Sequence, residues 1–196
     1  MSVDWNLRYQ TGETPWEKGE PHPELPFLLS AHQGIFASAE SVFVPGCGVG
    51  HDVALIRAVN QGEVLGLDIA DEAIDRATAR YSDLDISWQA GDLFTWQGVY
   101  DLVFEHTCFC AIPVARRPDY VEAMARLIPS GGHFAGIFFL NPDHEGEEGP
   151  PFGVGPEELE RYFSSDFVLQ WSRAPQKTFK SREGEGRELC MIWRRK

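Results

Sequence analysis

Three glycines at alternate positions, Gly46, Gly48 and Gly50, follow a short apolar run and precede a helix-forming segment. The order of strand, glycine turn and helix is typical of the first βα unit of a nucleotide-binding α/β fold, where the ligand meets the carboxyl end of a strand. Glycines suit such a turn because it is tight and because a Cβ atom would hold the ligand away. For this stretch alone, a tight βα turn without a ligand is the alternative.

The spacing of the glycines separates two classes of ligand. A dinucleotide fingerprint has the pattern G-x-G-x-x-G and binds a pyrophosphate at the helix N-terminus. Here the third glycine comes one residue early, His51 stands at the fingerprint position, and Asp52 adds negative charge at the helix start. A cationic ligand without phosphates suits this turn better. S-adenosylmethionine (SAM), which carries a sulfonium, an amino acid and an adenosine, has that chemistry.

Two acidic residues follow the next two predicted strands. Asp68 ends the second strand, where a carboxylate can accept hydrogen bonds from both ribose hydroxyls. Asp92 follows the third strand and can accept from the adenine amino group, while Leu93 supplies an apolar wall. Taken singly, Asp68 also suits a helix cap or a solvated loop, and Asp92 a common Gly-Asp turn.

A histidine ends the fourth predicted strand, beside the expected position of the methyl group. His106 could contact the cofactor, orient the substrate or act as a general base, and a structural, hydrogen-bonded histidine is the alternative. Methyl transfer to a soft anion needs no strong base, because the sulfonium already activates the carbon. Placement of the two reactants alone can contribute roughly 7–11 kcal/mol.

The N-terminal segment 1–34, here called the leader, combines aromatic, proline and charged residues. Trp5, Tyr9 and Trp16 would be costly to expose, so we expect them to cover either the core or a ligand. Over a sulfonium, each ring would contribute a cation–π contact of about 0.5–2 kcal/mol and favour SAM over its neutral product. Packing that only fastens the leader is the alternative.

Alternating strands and helices position these residues. The predicted strands are 42–44, 64–67, 86–89, 100–105, 134–140, 167–171 and 188–193. This order predicts an α/β fold with a doubly wound, seven-stranded, mostly parallel sheet and an antiparallel last strand. Gly62 is the predicted C-cap of the first βα helix and Asp71 the N-cap of the next. The stretch 141–155 is predicted as a functional or disordered loop, and the 196 residues as one domain.

Composition limits the partners. The formal net charge of -13 argues against a nucleic-acid partner, because phosphate neutralisation needs clustered Lys and Arg. An acidic field mildly favours a cationic cofactor, although solubility alone would account for it. No apolar run approaches the ~20 residues of a membrane span, and the N-terminus lacks a signal-peptide pattern. The four cysteines form no zinc pattern, so we expect no metal. Nothing in the sequence suggests secretion, so we expect reduced thiols in the cytoplasm. We also expect a monomer or a weak homodimer.

Taken together, several segments resemble the thiopurine S-methyltransferase family, most closely its halide and thiol methyltransferase branch. The first glycine turn, Pro-Gly-Cys-Gly-x-Gly, resembles motif I of the class I SAM-dependent methyltransferases. The resemblance is carried by segments 5–9, 12–19, 44–52, 66–68, 104–112, 149–152 and 187–193. It implies the Rossmann-like class I fold and a SAM-dependent methyltransferase that acts on a small soft nucleophile: a thiol, a thiopurine-like sulfur or a halide.

The resemblance also implies which residues contact SAM. These residues are Trp5, Tyr9, Trp16, Gly46, Asp68, Asp92 and His106. The glycine turn adds Gly48 to the predicted SAM contacts, and the apolar wall adds Leu93. On the substrate side, loop position suggests Phe109, Phe152 and Arg182. Tyr9 replaces a second tryptophan of the family, and His106 stands where the halide and thiol branch has tyrosine and the thiopurine branch arginine, which leaves the acceptor open. The alternatives are a non-catalytic SAM-binding module and an NAD(P)-linked oxidoreductase.

Overall fold

The computed structural model describes residues 3–140 and 149–196. The chain has the predicted α/β fold, with helices around a seven-stranded, mostly parallel sheet. It divides into two compact units, Met1–Trp96 and Gln97–Lys196, and the single domain stays a prediction. The segment 141–148, which holds most of the predicted loop, lies outside the described residues. Among the helices of the described ranges, none is long and apolar enough to cross a membrane.

The first unit contains the leader and three parallel strands in the order β3-β2-β1. Its elements are α1 (Trp5–Thr11), α2 (Leu25–Ala31), α3 (Gln33–Phe36), β1 (Ser41–Pro45), α4 (His51–Arg57), β2 (Glu63–Asp68), α5 (Asp71–Arg80) and β3 (Ser87–Ala90). β1 continues through Pro45, which lies opposite Leu67 of β2, so the strand runs one residue further than predicted. The glycine turn therefore begins directly at the end of the strand.

The second unit contains four strands in the order β4-β5-β7-β6. Its strands and α-helices are β4 (Leu102–His106), α6 (Arg117–Leu127), β5 (His133–Phe139), α7 (Pro156–Phe163), β6 (Phe167–Arg173) and β7 (Glu188–Arg195). β4 and β5 are parallel, whereas β7 is antiparallel to both β5 and β6. The prediction of an antiparallel last strand is thus confirmed.

The leader owes its shape to two caps and a contact with α5. The Asp4 carboxylate accepts a hydrogen bond from the Leu7 N–H across 2.9 Å at the start of α1. Gly12 ends α1 in the left-handed region, with φ at 76°. On α5, the Glu72 N–H donates to the Asn6 side-chain oxygen across 2.9 Å. α1 is therefore fixed to α5 from its first turn.

Two predicted helix caps are wrong. α4 ends with Ala58 as its C-cap, and Gly62 lies beyond the helix. A Cβ atom on Gly62 would come within 2.3 Å of the Glu40 carbonyl oxygen, so close backbone packing explains this glycine. Asp71 is the first residue of α5 rather than its N-cap, which is Ala70. Its charge still suits the helix N-terminus.

Candidate active site

The turn after β1 needs glycine for two separate reasons. Gly46, Gly48 and Gly50 all have positive φ, at 61°, 54° and 85°. In addition, a Cβ atom on Gly50 would lie 2.3 Å from the Trp88 ring, and one on Gly48 would lie 2.9 Å from the Tyr9 hydroxyl. The turn is therefore packed beneath an aromatic ring of β3 and beside the leader.

Asp68, at the end of β2, is fixed to this turn and is only 7% exposed. Its Oδ2 accepts from the Gly48 N–H across 2.8 Å, and its Oδ1 accepts from the Ala70 N–H across 2.9 Å. Burial raises the pKa of Asp68, and these backbone hydrogen bonds partly oppose that shift. The Ile69 N–H also bonds to this carboxylate, and because a carboxylate has about four acceptor positions, capacity remains for a ligand hydroxyl. The hydrogen bond from the Ala70 N–H, at the start of α5, leaves this acceptor capacity in place.

The leader aromatics form one cluster against the glycine turn. Tyr9 is 3% exposed and packs with Val49, while Trp5 and Trp16 are partly buried against it. The ring centroids of Trp5 and Trp16 are 5.2 Å apart in an edge-to-face arrangement. The Trp16 Nε1–H donates to the Tyr9 hydroxyl across 3.0 Å. Burial and the charge of Asp68 raise the pKa of Tyr9, so its hydroxyl stays protonated.

The choice of tyrosine at position 9 has a structural consequence. An indole N–H only donates hydrogen bonds, so a tryptophan at position 9 could not accept from Trp16. The hydroxyl of Tyr9 provides that acceptor.

Sequence reasoning missed the polar contacts that tie the leader to the start of α4. The His22 N–H donates to Asp52 Oδ1 across 2.8 Å, and Glu17 Oε1 lies 3.0 Å from His51 Nε2. Burial alone would raise the pKa of Glu17, but hydrogen bonds from His51 and the Gly19 N–H lower it below its ordinary value. The only signal in the sequence was charge at these positions, which does not identify partners 30 or more residues away.

Asp92 and Leu93 lie in a short turn after β3. Asp92 Oδ1 accepts from the Phe94 N–H across 2.9 Å, which is an Asx turn. Leu93 is buried at 8% exposure. Asp92 therefore forms the common turn that was the alternative interpretation of this residue. Its contact with adenine stays a prediction.

The residues of the first unit fit SAM chemically. SAM, when bound, supplies a methyl group on a sulfonium that a nucleophile can displace. The aromatic cluster of Trp5, Tyr9 and Trp16 packs against the turn, and a cation already lies over one of its rings, since the Arg8 guanidinium carbon is 5.8 Å from the Trp16 centroid. The buried Asp68 offers acceptor capacity to hydroxyls. A pyrophosphate would instead meet the carboxylates of Asp52 and Asp68 near the turn.

In the second unit, His106 ends β4 and is held by a buried ion pair. Arg182 Nη1 donates to His106 Nε2 across 3.0 Å and lies 3.0 Å from Glu188 Oε1. The side chains of Arg182 and Glu188 are 8% and 1% exposed. The Thr178 hydroxyl donates to the other oxygen of Glu188. Because a guanidinium has only donors, Nε2 of His106 must accept, which places the ring proton on Nδ1.

The Arg182 guanidinium also lies against two rings. Its central carbon is 4.9 Å from the centroid of Phe139 and 5.7 Å from that of Phe179. Its charge is thus balanced by a carboxylate and its planar faces contact aromatic rings. Loop position alone pointed to Arg182, but not to Glu188 as its partner.

Phe109 and Phe152 are brought together by a residue that sequence reasoning missed. Arg117, which is fully buried, lies 4.9 Å from the Phe109 ring centroid and donates to the carbonyl oxygens of Phe152 and Gly153 at 3.2 and 2.9 Å. The Phe152 N–H donates to the Cys110 carbonyl oxygen across 2.7 Å. No motif in the sequence signals Arg117.

Phe109 belongs to the aromatic core of the second unit. It is 1% exposed, and its ring centroid lies 5.2 Å from that of Tyr120 and 6.2 Å from that of Phe138. This position favours a packing role, and a contact between Phe109 and the substrate stays a prediction. Phe152 is 9% exposed.

Comparisons with known proteins agree with this geometry. The model of the thiopurine S-methyltransferase family matches residues 2–189. A probable thiol methyltransferase 2 from Arabidopsis thaliana is 34% identical over 166 residues, which are 82% of this chain and 71% of that protein. A thiopurine S-methyltransferase from Marinobacter nauticus is 27% identical over 167 residues, 74% of this chain and 76% of that protein.

Solved structures share the fold. The N-methyltransferase NodS from Bradyrhizobium japonicum, in complex with S-adenosyl-L-homocysteine, is 16% identical with a TM-score of 0.70, over 95% of this chain and 97% of NodS. This likeness concerns the fold alone and confirms the predicted Rossmann-like class I methyltransferase architecture. Because the family model spans nearly the whole sequence and includes both the glycine turn and His106, the chain belongs to the thiopurine S-methyltransferase family and is a SAM-dependent methyltransferase.

Proposed function

We propose that the protein transfers a methyl group from SAM to a small soft nucleophile, with a thiol or thiopurine-like sulfur as the first class and a halide as the second. The observation that carries this proposal is the hydrogen bond from Arg182 to His106 Nε2, at 3.0 Å. A ring nitrogen that already accepts a hydrogen bond is poorly suited to remove a proton from an alcohol or amine. A thiolate or halide needs no such removal.

The names of the relatives point the same way. The Arabidopsis thaliana protein is described as a probable thiol methyltransferase and the Marinobacter nauticus protein as a thiopurine S-methyltransferase. A related Brassica oleracea protein is described as thiocyanate methyltransferase 1. All three names specify an acceptor that contains sulfur.

For the cofactor, we assign roles to residues of the first unit. Asp68 accepts from the ribose hydroxyls, Asp92 accepts from the adenine amino group, and Leu93 packs against the base. The residues that we assign to the methionine and sulfonium part are Trp5, Tyr9, Trp16, Gly46 and Gly48. Their clustering around one turn supports this assignment.

For the acceptor, we assign His106, Arg182 and Phe152 in the second unit. The ring of His106 orients the acceptor, and Arg182 fixes the orientation of that ring through their hydrogen bond. The acceptor's electron pair forms the new bond to the methyl carbon as the carbon–sulfur bond of the donor breaks. A thiol acceptor releases its proton to water. Such chemistry is consistent with a cytoplasmic enzyme that acts on a small molecule.

The test compares two acceptors that differ in one atom. Purified full-length protein is incubated with methyl-labelled SAM and either benzenethiol or phenol, with iodide and thiocyanate in parallel reactions. We expect labelled methyl thioether from benzenethiol and at most background from phenol. Turnover of phenol as fast as of benzenethiol would overturn the choice of a soft acceptor. If calorimetry shows SAM binding but none of these acceptors is methylated, the proposed class of acceptor is wrong.

A further inference from the structure

A second ionisable side chain lies next to His106 and has no part in the mechanism described above. Glu105 is the fourth residue of β4 and is 0% exposed. Its partner across the sheet is Gly136 of β5, where a Cβ atom would come within 2.9 Å of Glu105 Cγ. The glycine therefore leaves the space that the buried glutamate occupies.

The two carboxylate oxygens of Glu105 have different surroundings. Oε2 accepts from the Phe109 N–H across 2.8 Å and from the Tyr120 hydroxyl across 3.3 Å. Oε1 is buried and has no hydrogen-bond partner among residues 3–140 and 149–196. A buried carboxylate oxygen without a hydrogen-bond partner costs folding free energy, so its presence calls for an explanation.

The turn that Glu105 holds has an unusual backbone. Thr107 has φ at 62°, the left-handed region that a β-branched residue rarely adopts. Its hydroxyl donates to the His106 carbonyl oxygen across 2.7 Å, and the Cys110 thiol donates to the Thr107 carbonyl oxygen across 3.3 Å. The bond from the Phe109 N–H to Glu105 closes this turn from the opposite side. The turn directly follows His106.

The charge of Glu105 changes near neutral pH. Burial raises the pKa of Glu105 from 4.5 to about 7, while the N–H of Phe109, the Tyr120 hydroxyl and the N–H groups of Cys108 and Thr107 act against that shift. The titratable groups packed around it are Tyr120 of α6 and the thiols of Cys108 and Cys110 on the turn. Burial raises the pKa of Tyr120 and raises that of Cys110 to about 12, so these two groups stay neutral while Glu105 titrates.

We propose that Glu105 is a positioning residue for methyl transfer: its ionised carboxylate holds the turn at 107–109 and so fixes His106 toward the acceptor. Protonation weakens the hydrogen bond from the Phe109 N–H and loosens the turn. An ionised carboxylate accepts stronger hydrogen bonds from backbone N–H groups than a protonated carboxyl does. The ionised form of Glu105 therefore holds the turn more firmly. The effect of Glu105 on methyl transfer rests on the proposed function, in which His106 orients the acceptor. The effect of Glu105 on the turn does not depend on that role.

The kinetic test uses Glu105→Gln, which keeps the size and one carbonyl oxygen but cannot ionise. The acceptor is thiocyanate, which stays anionic throughout the pH range tested, and for the wild type its kcat/KM is expected to fall as the pH decreases below about 7. For Glu105→Gln, we expect at least a tenfold lower kcat/KM at pH 8, no such acid limb, and an unchanged SAM affinity by calorimetry. Glu122→Gln on the exposed face of α6 is the matched control and should behave like the wild type. Wild-type activity of Glu105→Gln at pH 8, or persistence of its acid limb, would overturn the proposal.

A second readout does not depend on activity. In a two-dimensional NMR titration, the amide signals of Thr107 and Phe109 should shift with a midpoint near pH 7 in the wild type and stay still in Glu105→Gln. If these shifts occur but no sulfur acceptor is methylated at any pH, the proposed function fails and the turn mechanism stands. If the amides do not shift in the wild type, the inference about Glu105 is wrong even when methylation is observed.

Discussion

The indole N–H of Trp16 donates to the hydroxyl of Tyr9 across 3.0 Å, and that hydroxyl occupies the space beside Gly48 where a Cβ atom would stand 2.9 Å away. The leader is therefore fastened to the glycine turn by a polar contact as well as by ring packing. Because the hydroxyl links the two parts, its removal gives a direct test of the leader's role.

Removing the Tyr9 hydroxyl should loosen this contact. Tyr9→Phe leaves the partly buried Trp16 N–H without its acceptor, which we expect to cost about 1 kcal/mol. The affinity for SAM should fall about threefold to tenfold in calorimetry, with a small drop in melting temperature. Leu7→Ala on the exposed side of the same helix is the control and should change neither quantity. An unchanged SAM affinity in Tyr9→Phe would separate the leader from cofactor binding.

The carboxylate of Asp68 is expected to matter beyond its backbone contacts. Asp68→Asn retains one oxygen acceptor for the Gly48 or Ala70 N–H but loses charge and half of the acceptor capacity. SAM binding should weaken by at least about 1 kcal/mol, or roughly fivefold. Calorimetry measures this, with Asp75→Asn on the exposed face of α5 as the control. A folded Asp68→Asn protein with wild-type affinity would remove Asp68 from the ribose role.

Removing one member of the Arg182–Glu188 pair should destabilise the protein strongly, whereas replacing both members with apolar residues should change its stability little. Arg182→Ala leaves the buried Glu188 carboxylate without its cation, and we expect a loss of about 3–5 kcal/mol in the free energy of unfolding. The double variant Arg182→Met with Glu188→Leu should recover most of this stability but not the methylation rate, because His106 loses its donor. Denaturant unfolding and acceptor kinetics measure the two effects.

An exposed ion pair serves as the control for that experiment. Arg116 and Asp119 lie 3.0 Å apart, and both side chains are about half exposed. Arg116→Ala should cost no more than about 1 kcal/mol. An equal loss from Arg116→Ala and Arg182→Ala would contradict the distinction between the two pairs.

The close approach of the backbone at Gly62 predicts a large penalty for a single methyl group. A Cβ atom there would lie 2.3 Å from the Glu40 carbonyl oxygen, so Gly62→Ala should destabilise the protein by about 1–3 kcal/mol. Gly34→Ala is the matched control, because no atom lies within 4 Å of its Cβ position. In helix α3, that change should be neutral or stabilising by up to about 1 kcal/mol. Thermal unfolding of both variants decides the comparison.

Stability should depend on pH through Glu105. Its pKa is about 7 in the folded protein and near 4.5 when unfolded, so between these values the folded state binds more protons and stability falls as the pH rises. Glu105→Gln does not titrate, so its stability relative to the wild type should increase by up to about 3 kcal/mol from pH 4.5 to above pH 7. Urea unfolding at several pH values measures the difference. A constant difference across this range would show that the carboxyl does not titrate as described.

Several features of the protein could be predicted from the sequence because they depend on local pattern. The glycine turn, the acid at the end of β2 and the alternation of strands and helices follow from short-range hydrophobic periodicity and from the conformational freedom of glycine. The predicted cap at Gly62 failed because a tertiary contact, the close packing against the Glu40 carbonyl, accounts for that glycine as readily as a cap would.

The tertiary structure alone decided which side chains meet. Arg182 and His106 are 76 residues apart, and His51 and Glu17 are 34 apart, so nothing in the spacing of either pair predicts a hydrogen bond. The same holds for Arg117, whose contacts with residues 152 and 153 lie 35 and 36 positions away. A periodic pattern fixes the face on which a residue lies, but the partner depends on how distant turns bring strand ends together. The orientation of His106 therefore follows from the fold.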